Sequence, residues 1–118
     1  MDDFRFEQPD IWKESIVVSD KLFDIADKAD DKRLFRFAEQ LRGAAMSISN
    51  NIAEGSGSFS DKEFAQFLNV ARRSVFECAN ILIIYERRKI IETDERLNHH
   101  KNLLSLSKKI TNFRKSII

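Results

Sequence analysis

One row of apolar residues recurs every three or four positions through residues 34–52, and this spacing predicts a long amphipathic helix. A half-buried strand would instead place apolar residues at every second position. Steps of 4-3-4-3-4 are typical of a helix that packs lengthwise against other helices. The members of the row are Leu34, Ala38, Leu41, Ala45, Ile48 and Ile52.

Three further segments have the same spacing, which predicts four helices in all. With only 3 Gly and 1 Pro, the chain has little material for hairpin turns. Short connectors make consecutive helices antiparallel. We therefore predict an all-α, antiparallel up-down four-helix bundle in a single domain, residues 1–118, with helices at about residues 10–29, 31–54, 61–90 and 94–116.

The ends of these helices carry recognisable signals. Gly55 is expected to end the second helix in a left-handed conformation. The residues expected to cap helix starts are Asp30 or Asp31, Ser60 together with Glu63, and Thr93 or Asp94.

The net charge is only +1, but its sign is unevenly distributed. Residues 1–30 contain nine acids and four bases, whereas residues 91–118 contain three acids and six bases. Either the two segments attract each other, within or between chains, or the basic segment meets a polyanion such as nucleic acid.

Composition also bears on the compartment. The one Cys excludes an internal disulfide. The chain opens on acids rather than on a basic and apolar signal. Its longest apolar run, residues 81–85, is far shorter than the ~20 residues that span a bilayer. We expect a soluble cytoplasmic protein with no membrane partner.

A polar row lies beside the apolar row of the second helix. It could line a pocket, but hydrogen bonding between helices fits better, because buried polar groups need partners. Glu54 in this row can pair with an arginine such as Arg42, Arg72 or Arg73. The predicted structural polar network comprises Ser47, Asn51, Glu54, Ser74 and Glu77.

No residues suggest catalysis, a cofactor or a metal. His99 and His100 are adjacent and therefore point about 100° apart on a helix, and Cys78 lies on the apolar row of the third helix. Basic residues remain as the candidates for contact with nucleic acid or a partner, the alternative being solvated faces and helix ends. They are Arg42, Arg72, Arg73, Arg87, Arg88, Lys89, Lys108 and Lys109.

The run Asn51-Ile52-Ala53-Glu54-Gly55, followed by Phe64-x-x-Phe67-Leu68, resembles the signature of a bundle family encoded in intervening sequences of bacterial 23S ribosomal RNA genes. The resemblance extends over residues 40–57 and 62–77.

This resemblance implies a left-handed antiparallel bundle and a ring-shaped homopentamer. A similar bundle is the accessory protein of diversity-generating retroelements, where it joins a reverse transcriptase and nucleic acid. The chain departs from the family pattern at Ser49, usually proline, and at Gly43, often arginine. Because serine keeps its amide hydrogen, we expect the second helix to pass Ser49 with little kink.

We accordingly expect a non-enzymatic oligomeric scaffold or adaptor, with RNA or DNA as candidate ligands and no cofactor. The alternative function is an accessory factor of a reverse transcriptase. A third class is an enzyme whose site lies at a subunit junction.

Overall fold

The computed structural model describes residues 3–118, which form four α-helices and one turn of 3-10 helix at Arg5–Glu7. No strand occurs in that range. Met1 and Asp2, part of the predicted domain, lie outside the described residues. The helices are α1 (Asp10–Asp31), α2 (Phe35–Ser56), α3 (Asp61–Arg87) and α4 (Thr93–Ile117).

The helices pack side by side in a body of 44 × 24 × 22 Å. α1 contacts α2, α2 contacts α3, α3 contacts α4, and α4 returns to contact α1. This packing is compatible with a bundle. The predicted apolar row forms its centre, because every member from Ala38 to Ile52 is fully buried, and Leu34 packs against the core from the connector.

The connector between α1 and α2 differs from the prediction. Asp30 and Asp31 do not cap α2; they form the last turn of α1. Arg33 then takes a left-handed conformation with φ 62°, and the Leu34 amide donates a 2.8 Å hydrogen bond to the Ala29 carbonyl. These features define a Schellman motif, in which an apolar residue after the turn packs back on the helix.

The same motif ends α3. Lys89 has φ 61°, and the Ile90 amide donates a 2.9 Å hydrogen bond to the Tyr85 carbonyl. Ile90 is buried, as the motif requires. Both turns therefore use a long cationic residue where glycine would fit with less strain.

The prediction that Gly55 ends α2 in a left-handed conformation is wrong. α2 continues to Ser56, and Gly57 follows it with φ −83°. Gly55 is buried within the helix, where an added Cβ would lie 2.6 Å from the Cβ of Phe67 and 2.8 Å from Cδ1 of Phe64. Its lack of a side chain lets α3 approach closely.

Of the two remaining predicted helix caps, the one at the start of α3 is confirmed and the one at the start of α4 is wrong. Ser60 caps α3 as expected, its Oγ accepting a 3.1 Å hydrogen bond from the Glu63 amide. Neither Thr93 nor Asp94 caps α4, whose N-cap position is Glu92. The Thr93 hydroxyl donates to Glu86 instead and is unavailable for capping. α2 is continuous through Ser49.

Among the described residues, no helix combines the length and the apolar character needed to cross a membrane.

Candidate nucleic-acid interface

Arg42 is committed to contacts within the chain. Its guanidinium donates 2.6 Å hydrogen bonds to both Asp27 and Asp30, which ties α2 to α1. These bonds, first to Asp30 and then to Asp27, raise the pKa of Arg42 above its ordinary value. Two carboxylates therefore offset the single positive charge of this arginine, which weakens its attraction for a phosphate.

Lys109 is also paired. Its Nζ lies 2.9 Å from a carboxylate oxygen of Glu14, so it links α4 to α1. Lys28 and Glu95 make a second pair between these helices, with α1 supplying the cation. At Glu14–Lys109 an acid of the acidic N-terminal segment pairs with a base of the basic C-terminal segment, as the uneven charge predicts. At Lys28–Glu95 the base comes from the N-terminal segment and the acid from the C-terminal one.

Arg72 occupies an unusual position on α3. Its guanidinium carbon lies 4.7 Å from the centroid of the Phe76 ring, which is a cation–π arrangement. Its Nε is buried and has no hydrogen-bond partner among residues 3–118. The neighbouring Arg73 is exposed.

Arg87, Arg88 and Lys89 are consecutive and exposed where α3 ends. Carbonyl groups give a helix C-terminus a partial negative charge, which favours cations there. Lys108 is exposed on α4. Neither these residues nor Arg72 and Arg73 form an ion pair in the described chain. Six of the eight predicted contact residues therefore form no ion pair within the described chain.

The predicted polar network is only partly assembled. The Ser74 hydroxyl donates a 2.8 Å hydrogen bond to the Ser47 hydroxyl across the α2–α3 contact. The Asn51 amide nitrogen donates to the carbonyl and the hydroxyl of Ser47. Glu54 and Glu77 are exposed, and neither forms a hydrogen bond or an ion pair with another described side chain. Of the arginines predicted to pair with Glu54, Arg42 is held by Asp27 and Asp30, Arg72 lies over the Phe76 ring, and Arg73 forms no ion pair in the described chain. This network stabilises the contact between two helices.

The side chains of Cys78 and Tyr85 are buried in the core. Burial raises the pKa of the Cys78 thiol to about 12, so the thiolate is scarce at neutral pH. Burial likewise raises the pKa of Tyr85 to about 12, and its hydroxyl donates a 2.7 Å hydrogen bond to the Phe37 carbonyl. Within the part of the chain that the structure describes, no three His, Cys, Asp or Glu side chains cluster as metal ligands would.

An apolar groove that was not predicted from the sequence lies between α3 and α4. Its volume is about 400 Å³, and Phe76, Leu97 and Leu104 line it with more than half of each residue exposed. The sequence signal for this groove is on α4, where Leu97, Lys101, Leu104 and Lys108 recur at steps of 4-3-4 and therefore share one side of the helix. Lysines on that side indicate that it faces solvent, so its leucines are expected to be exposed.

The comparison with known families decides the relationship. Residues 7–112 match the family model described as 23S rRNA-intervening sequence protein. The chain belongs to this family. A crystal structure of a protein of unknown function from the S23 ribosomal protein family of Bacteroides thetaiotaomicron has a similar fold, with a TM-score of 0.83 at 18% identity. The alignment covers 89% of this chain and 98% of that one. No curated protein matches the sequence.

The two sequence runs that resemble the family signature lie on α2 and α3. Gly55, the last residue of the signature Asn51–Gly55, lies on the side of α2 that meets α3, where Phe64 and Phe67 of the second signature pack on it, whereas Glu54 is exposed. Gly55, Phe64 and Phe67 of this 23S rRNA-intervening sequence protein signature therefore form a packing contact between α2 and α3. The basic residues available to an anion lie on other parts of the surface.

Proposed function

We propose that this member of the 23S rRNA-intervening sequence protein family is a non-enzymatic, cytoplasmic scaffold that assembles as a homopentamer and binds RNA or DNA. One observation carries the nucleic-acid part, namely the exposed run Arg87, Arg88 and Lys89 without an acidic partner in the described chain. A ring would repeat this run once per subunit, so that modest patches add up to a larger basic surface.

The proposal includes an antiparallel, left-handed arrangement of the four helices. Contacts between α2 and α3 support the antiparallel part. Phe37 stacks on Tyr85, Ser47 bonds to Ser74 and Gly55 approaches Phe67, so residue numbers rise along α2 as they fall along α3. The left-handed sense and the ring rest on the family resemblance.

The chemistry of the buried groups supports a role without catalysis. The Cys78 thiol and the Tyr85 hydroxyl both have raised pKa values and lie in the core. A nucleophile or general base would need a pKa nearer neutrality and access to a substrate.

Binding can be tested with labelled single-stranded RNA and duplex DNA at several salt concentrations. We expect affinity to fall steeply with salt, because each neutralised phosphate releases counterions. Arg87→Gln with Arg88→Gln should weaken binding and flatten the salt dependence. The matched control, Lys28→Gln with Lys109→Gln, removes the same charge from ion-paired positions and should bind nearly as the parent does. No binding by the parent protein at low salt would refute the nucleic-acid function.

Assembly is tested separately by light scattering, where a mass of about five chains is expected for a closed cyclic ring of the proposed size. A monomer at all concentrations would refute the scaffold.

A further inference from the structure

The outer side of α3 and α4 exposes a compact apolar patch. Phe76 and Ile83 on α3 are 52% and 41% exposed, and Leu97 and Leu104 on α4 are 52% and 54% exposed. Phe76, Leu97 and Leu104 border the groove of about 400 Å³. Contiguous apolar surface of this kind is typical of a protein contact site.

Cations surround this patch. Lys101 and Lys108 are exposed and share one side of α4 with Leu97 and Leu104, since these residues recur at steps of three and four. On α3, Arg72 stacks on the Phe76 ring and has an unpartnered buried Nε. None of the three cations forms an ion pair in the described part of the chain.

One acid interrupts this basic rim. Asp94, in the first turn of α4, lies one turn before Leu97 on the same side of the helix. We call the four apolar residues and the three cations the α3–α4 surface.

A complementary charge pattern lies on α1. Four exposed aspartates recur at steps of 4-3-4 and therefore share the outer side of the helix. Asp27 pairs with Arg42, whereas the other three form no ion pair with any described residue. This acidic stripe of α1 consists of Asp20, Asp24, Asp27 and Asp31.

Within one described chain, the acidic stripe of α1 and the α3–α4 surface form no ion pair with each other. The ion pairs that join α1 to α4 are Glu14–Lys109 and Lys28–Glu95, which involve neither the acidic stripe nor Lys101 and Lys108. Both faces nevertheless have the three-and-four spacing that lets helices lie side by side. Opposite charges on matching helical faces make a second copy of this chain the best-fitting occupant.

We propose that the α3–α4 surface is the subunit contact, and that it binds the acidic stripe of α1 from a second copy. The inference rests on the proposed homo-oligomer and deepens it. Because the two sides of the contact differ, each copy can bind one neighbour through each side, and such head-to-tail contacts close into a ring when the rotation between copies allows it. The apolar centre favours a protein helix over nucleic acid, because Val17, which is 55% exposed and lies one turn before Asp20 on the same side of α1, offers Leu97 and Leu104 an apolar partner that phosphates lack. Arg73 and the run Arg87–Lys89 then remain for nucleic acid.

The test is a charge swap followed by sedimentation equilibrium. Lys101→Glu with Lys108→Glu places acids opposite the acidic stripe, and the dissociation constant of the assembly should rise at least about 100-fold, because juxtaposed like charges are strongly unfavourable. Adding Asp20→Lys with Asp24→Lys to the same chain should restore assembly. The matched control, Arg36→Glu with Lys62→Glu, makes the same net change at exposed, unpaired positions in the first turns of α2 and α3 and should assemble as the parent does.

The outcomes separate this contact from the wider proposal. A monomeric parent protein refutes the oligomer itself. A parent oligomer that survives Lys101→Glu with Lys108→Glu overturns the α3–α4 surface alone. Loss of assembly without rescue by the swap overturns the acidic stripe as the partner, and circular dichroism establishes that each variant is folded. Should the double glutamate variant unfold, Lys101→Gln with Lys108→Gln provides the milder test, with weakened assembly expected and unchanged assembly overturning the contact.

Discussion

The hydroxyl of Ser74 on α3 donates a 2.8 Å hydrogen bond to the hydroxyl of Ser47 on α2, and Ser74 is only 6% exposed. The Ser74 hydroxyl also lies 3.1 Å from the Val70 carbonyl of its own helix, so Ser47 supplies its partner across the helix contact. The bond therefore contributes to the alignment of these two helices along their lengths.

A double-mutant cycle on this pair measures its contribution. We expect Ser47→Ala and Ser74→Ala each to lower the free energy of unfolding by about 1 kcal/mol. The double variant should lose less than the sum, with a coupling of about 0.5–1.5 kcal/mol, because the same bond is removed only once. Urea unfolding provides the values, and strictly additive losses would show that the bond contributes nothing.

Two glycines of α2 should respond oppositely to alanine. Gly55→Ala should destabilise the protein by about 1–3 kcal/mol, because its Cβ would overlap Phe67 and Phe64 and force α3 outward. Gly43→Ala should stabilise it by about 1 kcal/mol, since helix propensity improves. No described atom outside its own helical surroundings lies within 4 Å of the Cβ that would be added at Gly43.

Thermal and urea unfolding of both glycine variants would test this contrast. Equal effects at the two positions would contradict the close approach of α3 at Gly55. If Gly43→Ala stabilises a monomeric form but weakens assembly, this side of α2 also contacts another copy.

The left-handed residues of the two connectors predict a stabilising change. Arg33→Gly and Lys89→Gly should each stabilise the protein by about 1 kcal/mol, because glycine adopts a positive φ without strain from a Cβ. Lys32→Gly serves as the control at φ −91°, where glycine offers only added flexibility in the unfolded chain and should destabilise. Differential scanning calorimetry compares the three, and destabilisation by both Arg33→Gly and Lys89→Gly would contradict the observed turns.

His99 should make folding sensitive to mild acid. Burial lowers its pKa below the ordinary value of 6.5, with Lys21 and Lys28 adding to the effect and Glu95 opposing it. As pH falls through 6.5 the unfolded state takes up a proton before the folded state does, so stability decreases. Above that pH both states are neutral and no loss occurs.

The measurement is the free energy of unfolding between about pH 7.5 and pH 5.5, the range in which histidine titrates. His99→Gln should show a smaller loss over this range than the parent protein. Identical pH profiles would exclude His99 as the source. At lower pH a separate loss is expected from Glu86, whose pKa is lowered by hydrogen bonds from Arg96 and Thr93.

Sequence reasoning succeeded where the signal is local. The apolar row of α2 identified the core face, since burial follows directly from which side of a helix is apolar. The Ser60 cap needs only the Glu63 amide three residues away. Both predictions concern groups that meet within a few residues along the chain.

Other predictions failed because neighbouring helices compete for the same groups. Asp30 was expected to cap α2 but is bonded to Arg42, twelve positions away, while Leu34 closes the α1 turn. Glu54 was expected to pair with Arg42, Arg72 or Arg73, but Arg42 is held by Asp27 and Asp30, and Arg72 lies over the ring of Phe76. A sequence shows which groups can pair but not which pairs the packed helices bring within reach.

By itself, the sequence determined four amphipathic helices, the buried face of α2 and the family, because spacing and composition are properties of the chain. Only the tertiary structure decided that Gly55 is a site of helix contact. It also decided that Arg42 and Lys109 form ion pairs within the chain, and that Leu97 and Leu104 remain exposed. The physical reason is that helical periodicity defines the faces of each helix, whereas distances between helices determine which faces are covered and which charges are neutralised.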